Sequence, residues 1–180
     1  MGVETNLIWI DMEMSGLQVE SCVVLEIATI VTDAQLNVVE KGPDLVCRQD
    51  EAVLAAMDSW NTEHHGASGL TQAVRTSTVS VRDAEVQTLA FLAKHCVPGL
   101  SPLCGNTIGN DRKFIEKYMP ELGRFFHYRS IDVSTIKELV RRWYGDAAVM
   151  PKLRPHRALD DILESIAELR HYREKFFVKP

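Results

Sequence analysis

Asp11 and Glu13 stand two residues apart in the stretch Leu7-Ile-Trp-Ile-Asp-Met-Glu-Met-Ser-Gly-Leu17. The apolar, β-favouring run ends at Ser15-Gly16, which reads as a buried strand closing in a turn. Successive side chains of a strand alternate faces, so Trp9, Asp11 and Glu13 share one face and Ile8, Ile10 and Met12 the other. The two carboxylates then lie roughly 6.5 Å apart at their Cα atoms. No basic residue adjoins them in sequence, so burying both makes them repel and pushes one pKa up. A divalent cation removes that conflict. Hard oxygen ligands suit Mg²⁺ or Mn²⁺, and a pair of such ions is a device for cleaving phosphate esters. An edge strand with a solvated acidic face is the alternative reading.

Three further places hold residues able to do chemistry. Asp111 sits at the start of a helix opened by Asn110-Asp-Arg-Lys-Phe, just after Gly105 and Gly109, where a capping or dipole role suits it better than catalysis does. His156 stands where a loop meets the last helix, with Asp160 and Asp161 in that helix's first turn. Those two acids lie at comparable angles on either side of the apolar stripe, so periodicity leaves the choice between them open. The stretch Asp58-Ser-Trp-Asn-Thr-Glu-His-His-Gly66 resists a regular assignment. Its Trp60 reads either as a packed core tryptophan or as a base-stacking platform at the rim of a site.

The elements that must position these residues alternate between strand and helix. Val23 to Thr32 is an almost unbroken apolar run holding one acid, Glu26. With the Asp33-Ala-Gln-Leu-Asn37 turn and Val38 to Glu40 it reads as a hairpin, and Asp44 to Arg48 reads as a separate third piece. With the first strand these make a mostly antiparallel sheet. Glu51 to Met57 has a short helical pattern. Ser80-Val-Arg-Asp83 fits a capping box ahead of Val86, Leu89, Phe91, Leu92 and Cys96, with Pro98-Gly99 as the stop. Pro102 to Asn106 reads as a short strand, followed by the helix bearing Asp111, which stops near Pro120. Arg129-Ser-Ile-Asp-Val-Ser-Thr begins as a strand and turns into a helix through Val140 to Trp143. A Gly/Pro-punctuated loop runs from Tyr144 to Pro155, and the last helix covers Leu159 to Phe177 with Leu159, Ile162, Leu163, Ile166 and Leu169 in one stripe. Residues 1–180 contain no internal repeat, phosphate-binding loop or linker long enough to mark a boundary, so one α/β domain is the economical reading.

Composition excludes several classes. At 180 residues with 46% hydrophobic and 25% charged content, the chain reads as an ordinary soluble globular protein. No apolar run has transmembrane length and no signal-like segment opens the chain, which points to no membrane partner and a cytoplasmic location. A leader preceding this sequence would instead place it in mitochondria. Cys22, Cys47, Cys96 and Cys104 have neither Cys-x-x-Cys spacing nor partner histidines, so neither a disulfide framework nor a zinc site is indicated. The net charge of -5 argues against wrapping long nucleic acid on a broad basic surface, though not against a short, metal-neutralised one.

Taken together, Leu7 to Leu17, Glu26-Ile-Ala-Thr, Cys104-Gly-Asn-Thr-Ile-Gly-Asn-Asp-Arg112, Tyr118-Met-Pro-Glu-Leu122, His127-Tyr-Arg, Asp132-Val-Ser-Thr and His156-Arg-Ala-Leu-Asp-Asp-Ile162 resemble the oligoribonuclease family, in the histidine-containing branch of the four-acid exonucleases. The resemblance runs nearly end to end. It implies a ribonuclease H-like fold, a five-stranded mixed sheet flanked by helices. By motif position it implies Asp11, Glu13, Asp111 and Asp161 as ligands of two Mg²⁺ or Mn²⁺ ions, and His156 as the general base. The family's four-residue spacing from histidine to acid selects Asp161 over Asp160.

The implied activity is 3′-to-5′ hydrolysis of very short RNA, dinucleotides especially, to 5′-nucleoside monophosphates. The resemblance also implies Leu17 wedged between bases, Trp60 stacked on one, and His65, Thr107, Tyr128 and Arg129 near the 5′ phosphate. The family has Ser where this chain has Thr107, which keeps the hydroxyl. The family's tyrosine comes from a neighbouring subunit, so a homodimer is implied. An exonuclease acting on DNA ends or structured RNA, and a non-catalytic nucleotide-binding protein, are the competing readings.

Overall fold

A computed structural model of the chain describes residues 3–151 and 157–178. Three strands come first, β1 (Leu7–Met14), β2 (Val24–Thr32) and β3 (Val38–Val46), paired antiparallel in the order β3-β2-β1. The short strands β4 (Leu103–Gly105) and β5 (Ser130–Asp132) add parallel on the other side of β1, giving a five-stranded sheet of order β3-β2-β1-β4-β5. This is the mixed five-stranded sheet that the resemblance implies, with β1 at its centre. Parallel neighbours need long crossovers, and here helices supply them.

Eight helices flank the sheet among the described residues: α1 (Glu51–Ala55), α2 (Ser59–Ala67), α3 (Leu70–Thr76), α4 (Val81–His95), α5 (Gly109–Tyr118), α6 (Pro120–Phe125), α7 (Val133–Tyr144) and α8 (Ala158–Phe176). The alternation of β1 divides the core into two layers. Ile8, Ile10, Met12 and Met14 pack on one face with Leu92 of α4, Phe114 and Ile115 of α5 and Leu122 of α6. Trp9 packs on the opposite face with Val133 and Val140 of α7 and Ile162, Ile166 and Tyr172 of α8. The Trp9 indole N–H donates to Thr32 Oγ1 at 2.9 Å, which satisfies its polar end inside the core. Asp11 and Glu13 continue the Trp9 face, so the first half of that face is core and the second half is site. None of the described helices is long and apolar enough to cross a membrane.

Several elements differ from the sequence-based expectation. The two pieces expected at Val38 to Glu40 and Asp44 to Arg48 are one strand. Pro43 lies within it, which an edge strand tolerates because its outer N–H has no ladder partner to lose. The stretch that resists assignment is α2, capped by Asp58, whose carboxylate accepts the Asn61 N–H at 2.8 Å. Pro120 ends α5 and also opens α6, a position where proline loses no helical hydrogen bond. The amides of Glu121 and Leu122 donate to Oε1 of Glu85 at 2.7 and 3.0 Å, so a side chain of α4 caps α6. The capping box of α4 forms as expected between Ser80 and Asp83.

β4 approaches β1 closely at Gly105. A β-carbon there would lie 3.0 Å from the Ile10 carbonyl oxygen and 2.7 Å from Cδ1 of Ile108. The Ile10 contact is backbone and cannot turn aside. Gly105→Ala is therefore expected to destabilise the fold by about 1–3 kcal/mol, measured by urea unfolding, and an unchanged midpoint would show that β4 can shift away from β1.

Candidate active site

Glu13 faces Glu26 directly across the β1–β2 ladder, so two acids meet where the core gives way to solvent. Glu26 is fully buried and is neutralised by Arg157, whose Nε lies 2.9 and 3.1 Å from its two carboxylate oxygens and whose Nη2 also donates to it. The same carboxylate accepts the Ala158 N–H at 3.2 Å. Glu26 thus holds the first turn of α8, and that turn carries Asp161. Carboxylate oxygens of Asp11, Glu13 and Asp161 lie within 4.8 Å of one another, a spacing at which one cation can engage all three.

Asp111 reaches the same place from the other side of the sheet. β4 pairs with β1 only at Ile8 and Trp9, which leaves the Met12 N–H without a strand partner on that edge. Asp111 Oδ1 accepts it at 3.0 Å. All four acids line one cleft of about 230 Å³ together with Leu17, Trp60, Asn106, Thr107, Asn110 and Ser165. Asp160 is exposed and lies outside that lining, so the geometry turns Asp161 inward as the family spacing does. A larger hollow of about 780 Å³, walled by Leu7, Leu36, Ile131, Ile136 and Phe177, brings no such carboxylates together.

The crowding shows in the titration of the acids. Glu13 is pushed up to about 7, chiefly by burial and then by the charges of Asp161 and Glu26, with Arg157 opposing. Asp111 is pushed up to about 8 by burial, with the charges of Glu13 and Asp132 adding and hydrogen bonds from backbone amides opposing. A site that holds carboxylates at such cost, with hard oxygen donors converging, fits divalent cations.

The remaining expected residues are distributed unevenly. Leu17 and Trp60 stand at the cleft rim, 70% and 56% exposed. Thr107 lines the cleft. His65 is 3% exposed, its Nε2–H on the Met14 carbonyl at 2.9 Å and its Nδ1 3.9 Å from Glu13, so it lies beneath the acids. Tyr128 is 73% exposed with the Arg129 guanidinium over its ring, and neither lines the cleft of its own chain. His156 lies outside the described residues.

The RNase_T exonuclease family profile matches residues 8–169. Curated oligoribonucleases align nearly end to end: that of Shewanella loihica is 57% identical over 175 residues, covering 97% of each chain, and that of Marinobacter nauticus is 58% identical over 173 residues, covering 96% of each. The chain belongs to the oligoribonuclease family of exonucleases. Among solved structures it resembles exonuclease I from Methylocaldum szegediense, with a TM-score of 0.71 at 20% identity, and E. coli exonuclease I in complex with a dT13 oligonucleotide, with a TM-score of 0.73 at 14% identity. The chain spans only 41% of either of those chains, and at such identity the likeness shows the fold alone, which is ribonuclease H-like.

As an oligoribonuclease-family member the chain is a nuclease and hydrolase, and the acid cluster is where a family that uses divalent metals would hold them. The sequence reading missed Asn106, Asn110 and Ser165 in the cleft wall and the Glu26–Arg157 pair behind it. A signal for the pair was present, because one acid inside a nine-residue buried strand requires a cation.

Both raised acids make the metal-free protein prefer lower pH. A carboxyl whose folded pKa exceeds its unfolded value contributes stability that is complete below the unfolded pKa and lost as pH rises through the folded one. His65, held below its ordinary value by burial, opposes this only below about 6.5. In chelator, Tm is therefore expected to fall between about pH 6.5 and 8, and Asp111→Asn to flatten that slope, as read by calorimetry. A metal-free Tm that rises across this window would contradict the assignment.

Proposed function

We propose that the chain, acting as one exonuclease domain, removes nucleotides from the 3′ end of very short RNA, dinucleotides above all, and releases 5′-nucleoside monophosphates. The observation that carries this reading is the convergence of Asp11, Glu13 and Asp161 within 4.8 Å in a small cleft rimmed by exposed Leu17 and Trp60. The acids suit phosphodiester hydrolysis, and the rim suits a base or two.

Asp11, Glu13, Asp111 and Asp161 would hold two divalent ions, Mg²⁺ or Mn²⁺. When bound, such a pair supplies positive charge to the scissile phosphate and its leaving oxygen and makes water more acidic. The protein's own part is binding, orientation and proton transfer. His156 would take the proton from the attacking water, a task for which an imidazole with a pKa near neutrality is suited. Leu17 and Trp60 would hold the bases by apolar contact and stacking. Thr107, with Arg129 and a partner copy's tyrosine at the position of Tyr128, would meet the 5′ phosphate. The same role for His65 would require its ring to leave the Met14 carbonyl.

A homodimer is supported by what one copy leaves uncovered. Tyr128 projects from the loop before β5, and Leu139, Trp143 and Tyr144 of α7 are also exposed. Short substrates are supported by charge and size. The chain carries a net charge of -5, and a cleft of about 230 Å³ is smaller than the roughly 300–1,000 Å³ of ordinary ligand sites.

Asp11→Asn is expected to abolish cleavage while leaving the metal-free fold intact or slightly stabilised, because it removes a proposed metal ligand and one of several repelling charges. Activity near wild type in saturating Mn²⁺ would remove Asp11 from the metal site. A length series provides the second test: kcat/KM is expected to be highest for a 5′-phosphorylated dinucleotide and to drop with each added nucleotide. Equal values for RNAs of two and seven residues would replace the short-substrate reading with that of a general exonuclease.

A further inference from the structure

Residues 15–23 join β1 to β2 and carry Leu17 to the cleft rim. The neck of this loop is pinned twice: the Ser15 N–H donates to the Val23 carbonyl and the Val23 N–H to the Ser15 hydroxyl, each at 3.0 Å. Further out, the amides of Ser21 and Cys22 both donate to the Gln18 carbonyl, at 3.0 and 2.8 Å. The two limbs pack so closely that a β-carbon on Gly16 would lie 2.7 Å from Cys22 Sγ. These contacts give the loop its shape. They do not fix it to the rest of the molecule.

The last turn of α5 does that. Lys117 Nζ donates to the Val19 carbonyl and, at 3.2 Å, to that of Glu20, while the Tyr118 hydroxyl donates to the Cys22 carbonyl at 2.7 Å. The Lys117 ammonium also lies 4.8 Å from the centre of the Tyr118 ring, which packs against the core beside Phe114. Two adjacent side chains of one helix therefore grip the carbonyls of the returning limb, and those from the ammonium are charge-assisted and so among the stronger hydrogen bonds. The first turn of the same helix carries Asp111. From Asp111 to Lys117 an α-helix rises about 9 Å. The separation between a metal ligand and the Leu17 loop is thus set by a stiff element. Such precision has a use, because a gap of about 0.5–1 Å forfeits a quarter to a half of the dispersion attraction in an apolar contact.

We propose that Lys117 and Tyr118 are positioning residues that tie the Leu17 loop to α5, so that the place of Leu17 between the bases is measured from the metal ligands by the length of a helix. This rests on the proposed apolar contact of Leu17 with the bases. Neither Lys117 nor Tyr118 lines the cleft, so both act through the loop. Their effect belongs to substrates with two bases, since a wedge has nothing to separate where the second base is missing.

The test measures kcat and KM for a dinucleotide and for the same dinucleotide lacking its 5′ base, together with Mn²⁺ binding by calorimetry, in wild type, Leu17→Ala, Lys117→Met, Lys117→Arg and the double variant Leu17→Ala/Lys117→Met. Leu17→Ala is expected to raise KM for the complete dinucleotide by about tenfold, the scale of one buried leucine side chain. Lys117→Met should raise it by about fivefold, because a displaced leucine keeps part of its contact, with kcat and Mn²⁺ affinity unchanged and little effect on the substrate lacking the base. Lys117→Arg, which keeps the charge and the donors, should recover most of the loss. In the double variant the two effects should not add, since both act on one contact. If Lys117→Met fails to fold, Tyr118→Phe, which removes a single hydroxyl, carries the same comparison. A Lys117→Met loss equal for both substrates, one that adds in full to that of Leu17→Ala, or one that follows a loss of Mn²⁺ affinity would overturn the positioning role alone. An unchanged KM in Leu17→Ala would overturn the base contact itself, and the inference with it.

Discussion

The guanidinium of Arg157 laid against the buried carboxylate of Glu26 fixes where α8 begins, and much else depends on that point. An ionised glutamate inside a sheet is unfavourable unless a cation and further donors satisfy it. Glu26 has both, because the Ala158 amide adds to the guanidinium. Satisfying Glu26 therefore commits α8 to start against β2. Within that first turn Asp161 faces β1. The pair also places a positive charge behind Glu13, which tempers the repulsion among the acids without occupying their oxygens. Truncating either partner would leave the other charge uncompensated, a more serious matter than the loss of one contact.

The acids themselves arrive by two routes. Asp11 and Glu13 come from the alternation of one strand, whereas Asp111 and Asp161 come from the first turns of helices on opposite faces of the sheet. The brevity of β4 opens the edge of β1 beyond Trp9, and the helix that follows β4 supplies the missing acceptor for Met12. Backbone satisfaction and assembly of the site are thus one event. The remaining cost of gathering carboxylates out of water is what a divalent ion would relieve.

How much of this could be read from the residues depended on the range of the forces involved. The β1 alternation and the α4 capping box are set by immediate neighbours, and both formed as read. So did the strand-to-helix turn at Asp132, where the side chain caps the helix that it precedes. The helix α2 was not recognised because it is polar nearly all round; it is held by burying Asn61 and His65 beneath the cleft, a tertiary matter that leaves no periodic stripe. α6 was hidden because Pro120 was read only as a stop. Local pattern could not decide between Asp160 and Asp161, since the choice is made by the register of α8 on the sheet. The family resemblance selects Asp161, and in the structure Asp161 lines the cleft whereas Asp160 does not. The left-handed backbone of Thr107 could not have been read at all, because its reason lies on α7, more than twenty residues further along the chain.

Trp60 shows how an exposed side chain can still be orderly. Its indole is stacked on His64, with centroids 3.9 Å apart and planes 18° from parallel, and the His64 Nδ1–H is anchored on the Trp60 carbonyl at 2.8 Å. The two rings brace each other on one turn of helix, so the indole has already lost much of the rotational freedom that a lone surface tryptophan would keep. A flat partner laid against it would have less of the protein's entropy to overcome on arrival, and a weak contact made on such a shelf goes further toward net affinity.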